Sequence, residues 1–101
     1  MFTNGMRPVH PGEILREEYL EPLDMSVNAL AGALHLTAGR MNEIVRERRG
    51  VSPDTALRLS RYFGTTPEFW LNLQMTYELR KAAQAEWAHI VEEIKPLEMA
   101  A

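Results

Sequence analysis

Apolar positions along the chain recur at helical rather than alternating spacing, and capping residues divide them into five segments. No stretch sustains a period of two, and β-branched residues are scattered, so the pattern predicts an all-helical fold. Pro11 and Glu13 open a first helix, since proline suits a first turn and an acid suits a helix N-terminus. Ile14, Leu15, Tyr19 and Leu20 give it an apolar face, and Pro22 ends it near Leu20. Ser26 is the N-cap of a second helix of two turns, with Val27, Leu30, Ala31 and Leu34 inward. After His35 and Leu36, Thr37 caps a third helix from Ala38 to about Arg46, with Met41, Ile44 and Val45 inward.

Gly50 then breaks the chain. Ser52-Pro53-Asp54 and Thr66-Pro67-Glu68 repeat one start signal: a hydroxyl cap, proline, then an acid. The first opens a fourth helix patterned by Ala56, Leu57, Leu59, Ser60 and Phe63 and closed by Gly64. The second opens a fifth, carrying Phe69, Trp70, Leu73, Met75, Tyr77 and Leu79. This helix runs on towards Ile94, ahead of Pro96, and a break within 80–90 stays open. Residues 1–9 read as a flexible arm, 10–79 as the domain, and 80–101 as a helical extension ending in a fraying tail.

Composition narrows the classes. With 101 residues there is room for one domain and a small core. Cysteine is absent, which removes disulfides, a thiolate nucleophile and Cys-ligated zinc, and fits a reducing compartment. No apolar run reaches transmembrane length, and the N-terminus lacks a signal-peptide pattern. A cytoplasmic protein is expected, nucleoid-associated when on DNA, with no membrane partner. His10, His35 and His89 have no paired-ligand spacing. No phosphate loop, dinucleotide fingerprint or nucleophile elbow is present. The adjacent acids Glu17-Glu18 and Glu92-Glu93 point to different helix sides. No metal, no cofactor and no enzymatic activity are expected.

The net charge of −3 hides an uneven distribution. Residues 37–61 hold six basic side chains, all arginine, against three acids, while both flanks are acidic. Screening confines each charge to about 8 Å at physiological salt, so the local sign decides the partner. This segment overlaps Ser26 to Arg49, where a tight turn joins two short helices. That is the pattern of a helix-turn-helix, whose second helix enters the DNA major groove. The start of that second helix is small or polar, as insertion requires. Arg40 is the candidate for bidentate readout of guanine, and Thr37 and Asn42 for further base contacts. Glu43 either accepts from cytosine or pairs with Arg46 or Arg40. Arg46, Arg48 and Arg49 are candidate phosphate contacts, with Ser26 and Gly39 completing the backbone set. Gly39 either lets the backbone approach DNA or is simply tolerated in a first turn.

The aromatic residues have helical spacing, so Phe63, Phe69, Trp70 and Tyr77 are expected in the core rather than stacked on bases. Trp87 differs. With Ile90, Val91 and Ile94 it forms an amphipathic stripe beyond the five-helix unit. Packing back on the domain, pairing with a second subunit, and receiving a protein partner are the three roles open to it.

From His10-Pro11-Gly12-Glu13 through Thr66-Pro67-Glu68-Phe69-Trp70-Leu71-Asn72-Leu73-Gln74 the chain resembles the HigA-type antitoxins. These belong to the lambda-repressor-like, XRE-type helix-turn-helix group. The Ser26…Leu30-Ala31 helix and the following Tyr77-Glu78-Leu79 extend the match. The resemblance implies a five-helix lambda-repressor-like domain that binds double-stranded operator DNA of its own operon as a homodimer. It also implies neutralisation of a RelE-like ribonuclease toxin. By position it carries over Thr37, Arg40 and Glu43 as recognition residues, with Asn42 nearby. One departure is His35, where the turn often has glycine. The toxin-contacting surface varies across the family and does not carry over. A stand-alone regulator, or an interaction module with weak DNA binding, are the alternative functions.

Overall fold

The computed structural model describes residues 7–98. Most of the arm expected over 1–9, and the end of the tail, therefore lie outside the described residues. Within 7–9, Arg7 grips the Glu13 carboxylate with two hydrogen bonds of 2.9 and 2.6 Å. This contact holds the Glu13 carboxyl below the usual carboxylate range.

Among the described residues the fold is five helices without strands. Helix α1 is an α-helical turn, Pro11–Ile14, continuing without interruption into a π-helical stretch, Leu15–Leu20. Then follow α2 (Val27–Leu34), α3 (Ala38–Val45), α4 (Pro53–Phe63) and α5 (Pro67–Glu93). Four N-caps sit where the sequence placed them. The hydroxyls of Ser26, Thr37, Ser52 and Thr66 each accept an N–H three residues on, satisfying a donor the helix leaves unpaired. A fifth cap was not foreseen: His10 Nδ1 accepts from the Gly12 N–H at 2.8 Å.

The helices meet in one core of Leu15, Leu30, Leu34, Met41, Ile44, Leu59 and Trp70, all nearly or wholly inaccessible. Trp70 buries its ring and donates its indole N–H to Thr65 Oγ1 at 2.8 Å, which removes the desolvation cost of that donor. Tyr19, Phe63 and Phe69 pack around it. Gly12 lets α1 touch the backbone of α3, since a Cβ there would fall 1.9 Å from the Ile44 carbonyl oxygen.

Two expectations need correction. Phe69 is not core: it stacks edge-on against Trp70 but stays 38% exposed. Leu57, Met75 and Leu79 face solvent, because α4 and α5 each bury only a narrow stripe of the apolar pattern. The break left open within 80–90 does not occur: α5 is one continuous helix of 27 residues.

Candidate nucleic-acid interface

Helices α2 and α3 form the helix-turn-helix, and its turn is set by backbone hydrogen bonds. His35 adopts the left-handed conformation, φ +57°. The Leu36 N–H then reaches back to the Ala31 carbonyl at 3.0 Å and the His35 N–H to Gly32 at 3.2 Å, a Schellman ending. From α4, Arg58 Nη1 donates to the Leu34 carbonyl at 2.9 Å and to the His35 carbonyl at 3.3 Å. Its Nε is held by Asp54 at 2.9 Å. The cation thus sits at the negative end of α2 and fixes the angle at which α3 departs.

The same ending recurs twice without glycine. After α1, Met25 N–H bonds Leu20 and Asp24 N–H bonds Glu21, with Asp24 at φ +51°. After α3, Arg48 N–H bonds Glu43 and Glu47 N–H bonds Ile44, with Glu47 at φ +64°. Helix α3 therefore ends at Val45, next to the expected end at Arg46, and Glu47 turns the chain ahead of Gly50. The strained Glu47 is held by Arg16, which donates to the Val45 carbonyl at 2.6 Å and reaches the Glu47 carboxylate at 3.3 Å. On the far side of the loop, Gln74 Oε1 accepts the Val51 N–H at 2.8 Å. His10 packs edge-on against Tyr77 at 4.7 Å. The loop bearing Arg46, Arg48 and Arg49 is thereby anchored to α1 and to α5. Arg16, Arg58, Gln74 and His10 were not among the expected site residues. Arg58 was visible only as one more arginine in the basic segment.

Thr37, Gly39, Arg40, Glu43 and Arg49 line one open cleft together with His35 and Leu36. Glu43 pairs with Arg49, through Nε at 2.9 Å and Nη2 at 2.8 Å, and not with Arg46 or Arg40. An exposed pair of this kind is worth at most about 1 kcal/mol, so an incoming phosphate can replace Glu43 as the partner of Arg49. Asn42 is half-buried and turns its amide back on the Ala38 carbonyl at 2.9 Å, away from that cleft. Arg46 and Arg48 are exposed beside it. A Cβ at Gly39 would meet nothing within 4 Å, so no neighbour in the chain demands glycine there. Ser26 lies on a second cleft, with Arg16, Met25 and Val45. Trp87, Ile90, Val91 and Ile94 form a separate surface on α5.

No family model matches the chain. It is 59% identical over 81 residues to virulence-associated protein I of Dichelobacter nodosus, covering 80% of this chain and 75% of that protein. It is 37% identical over 79 residues to antitoxin HigA-1 of Vibrio cholerae, covering 78% of this chain and 74% of that one. Among solved structures, Pseudomonas aeruginosa antitoxin HigA with the higBA promoter superposes with a TM-score of 0.88 at 53% identity. That match covers 91% of this chain and all of the other. Fold, helix-turn-helix geometry and these relatives converge: the chain belongs to the HigA-type antitoxins of the helix-turn-helix regulators.

Proposed function

We propose that this protein is the antitoxin of a type II toxin–antitoxin system, which represses its own operon by binding operator DNA. The observation that carries this reading is the cleft at the start of α3, lined by Thr37, Arg40 and Glu43, in a chain 53% identical to an antitoxin solved with its promoter. In the mechanism, residues 10–79 are the DNA-binding unit. Thr37, Gly39 and Arg40 lead α3 into the major groove, and Arg40 reads guanine O6 and N7. Asn42 turns from Ala38 to a base or phosphate, and Glu43 accepts from cytosine when Arg49 leaves it. Ser26, Arg46, Arg48 and Arg49 hold the phosphates, supplying affinity without sequence information. A half-site per subunit asks for a homodimer on a palindromic operator. The partner in neutralisation is a RelE-like, mRNA-cleaving toxin, and the extension over 80–101, with Trp87, Ile90, Val91 and Ile94, supplies dimer or toxin contacts. The role is non-catalytic and cytoplasmic. Among the described residues no helix is long and apolar enough to cross a membrane.

The test is a titration against the DNA upstream of the protein's own gene, with a scrambled duplex as control, at two salt concentrations. Preference for the native duplex that survives the higher salt is expected. Equal, salt-sensitive binding to both would sink the repressor reading. Co-purification with the product of the neighbouring gene then tests the toxin.

A further inference from the structure

The loop after α3 and the middle of α5 face each other across a second open cleft, outside the helix-turn-helix. Arg48 and Arg49 stand on one side of it, Tyr77 and Lys81 on the other. Its two sides are tied together. Gln74 Oε1 accepts the Val51 N–H at 2.8 Å, and Gly50 lies so close to the same amide that a Cβ would fall 2.7 Å from Nε2. Tyr77 is half-buried and braced edge-on by the buried His10 ring at 4.7 Å.

Lys81 is exposed, with its ammonium 5.2 Å from the centroid of the Tyr77 ring, a cation–π distance. Glu78 stands three residues before it, at a spacing where helical ion pairs form. Yet among the described residues neither Lys81 nor Arg48 makes an ion pair. Glu47, the other acid of the cleft, is taken by Arg16 at 3.3 Å. Two cations from distant parts of the chain therefore share one braced, open cleft without a counter-charge of their own. Arg49 joins this cleft to the one at the start of α3, since it lines both.

We propose that Lys81 is a DNA-backbone contact. The strand that Arg48 and Arg49 grip continues across this cleft, where the Lys81 ammonium donates to a phosphate oxygen. The proposal rests on the operator-binding reading above. It extends that interface to α5, into the stretch over 80–101 otherwise given to dimer or toxin contacts. A lysine acts on phosphate as a point charge, so it adds affinity without reading sequence. The Tyr77 ring restricts where the ammonium can go, which lowers the freedom lost on binding.

Full-length Lys81→Gln, Lys81→Arg and Lys95→Gln are titrated by fluorescence anisotropy against the operator duplex and a scrambled duplex over a range of salt. Lys95→Gln removes the same charge about 20 Å further along the chain. Lys81→Gln is expected to weaken both duplexes alike and to reduce the salt slope by about 0.9 for each subunit bound. Lys81→Arg should restore affinity and slope, and Lys95→Gln should leave both unchanged. Ethylation of operator phosphates should interfere with wild-type binding at one position per subunit where it no longer affects Lys81→Gln. If the wild type prefers its operator but Lys81→Gln keeps the wild-type slope and interference pattern, the contact is refuted while the operator reading stands. Equal losses from Lys81→Gln and Lys95→Gln would make Lys81 part of a general field and overturn the proposal, as would a loss confined to the operator. A wild type that binds neither duplex refutes both readings.

Discussion

Replacing Gly12 by alanine tests how closely α1 must approach the recognition helix. The new Cβ would sit 1.9 Å from the Ile44 carbonyl oxygen and 3.0 Å from His10 Nδ1, where ordinary contact begins near 3.4 Å. Helices α1 and α3 would have to part by about 1.5 Å to restore contact. No side-chain rotation relieves this, because the obstacle is backbone and Ile44 is wholly buried. Overpacking of this kind costs about 1–3 kcal/mol, or more when a backbone must move. The better helix propensity of alanine returns at most about 1 kcal/mol. A net loss of about 2 kcal/mol lowers the melting temperature of a domain this size by roughly 8–16 °C. Urea unfolding followed by circular dichroism is the assay, with a lower midpoint at an unchanged slope. Because Ile44 belongs to α3, operator affinity should fall as well at temperatures where the variant is fully folded. An unaltered midpoint would refute the reasoning, since it would mean that α1 moves aside freely.

Four further outcomes follow from the geometry. Arg40→Ala is expected to weaken operator binding by about 1–3 kcal/mol with the fold intact, and unchanged affinity would remove Arg40 from base readout. Arg48→Ala should weaken binding to all duplexes alike and reduce the salt slope by about 0.9, so a loss confined to the operator would contradict its phosphate role. Glu43→Gln releases Arg49 and removes a negative charge from the cleft, so scrambled DNA should bind more tightly. No gain would show that the Glu43–Arg49 pair does not restrain the loop. His10 is buried, and that burial holds its imidazole below the ordinary histidine range. The unfolded chain then takes up the proton first, so this contribution to stability is complete above about pH 6.5 and lost as pH falls through the folded-state value. Urea midpoints for the wild type and His10→Gln should converge towards acid pH, and parallel curves would exclude His10 as the group responsible.

Much of the fold was legible because cap chemistry is local. Ser26, Thr37, Ser52 and Thr66 act on N–H groups three residues away, and α2, α3, α4 and α5 each begin where such a hydroxyl stands. The helices also end near the expected positions, but the residues that turn the chain there were less legible. Gly64 was recognised after α4, whereas Asp24 and Glu47 take the same left-handed conformation without glycine. What holds Glu47 is Arg16, and no local pattern shows a partner 31 residues distant. The π-helical stretch in α1 likewise leaves no mark in the apolar spacing. At the candidate site, the position of the cleft followed from the helix-turn-helix pattern, and Thr37, Gly39, Arg40 and Glu43 do line it. The side chains that set its shape did not follow. Arg58 and Gln74 act across 24 and 23 residues, where only tertiary packing brings the groups together. Periodicity also tells which residues share a face but not how much of it is covered, hence the misplacement of Phe69, Leu57, Met75 and Leu79.

The continuity of α5 bears on how its outer half exists as a helix at all. Starting a helix in water is unfavourable, and one of a dozen residues is marginal by itself. Here initiation takes place inside the domain, where Thr66 caps the first turn and Trp70 is locked in the core. The outer half only has to propagate, and Ala82, Ala83, Ala85 and Ala88, with the His89–Glu93 pair at 2.6 Å, favour each further turn. No glycine or proline interrupts the run between Pro67 and Pro96. The helicity of the exposed surface around Trp87 is therefore seeded some twenty residues upstream. A proline introduced near residue 81 would sever it from its nucleus and unwind that surface while the helix-turn-helix stayed folded.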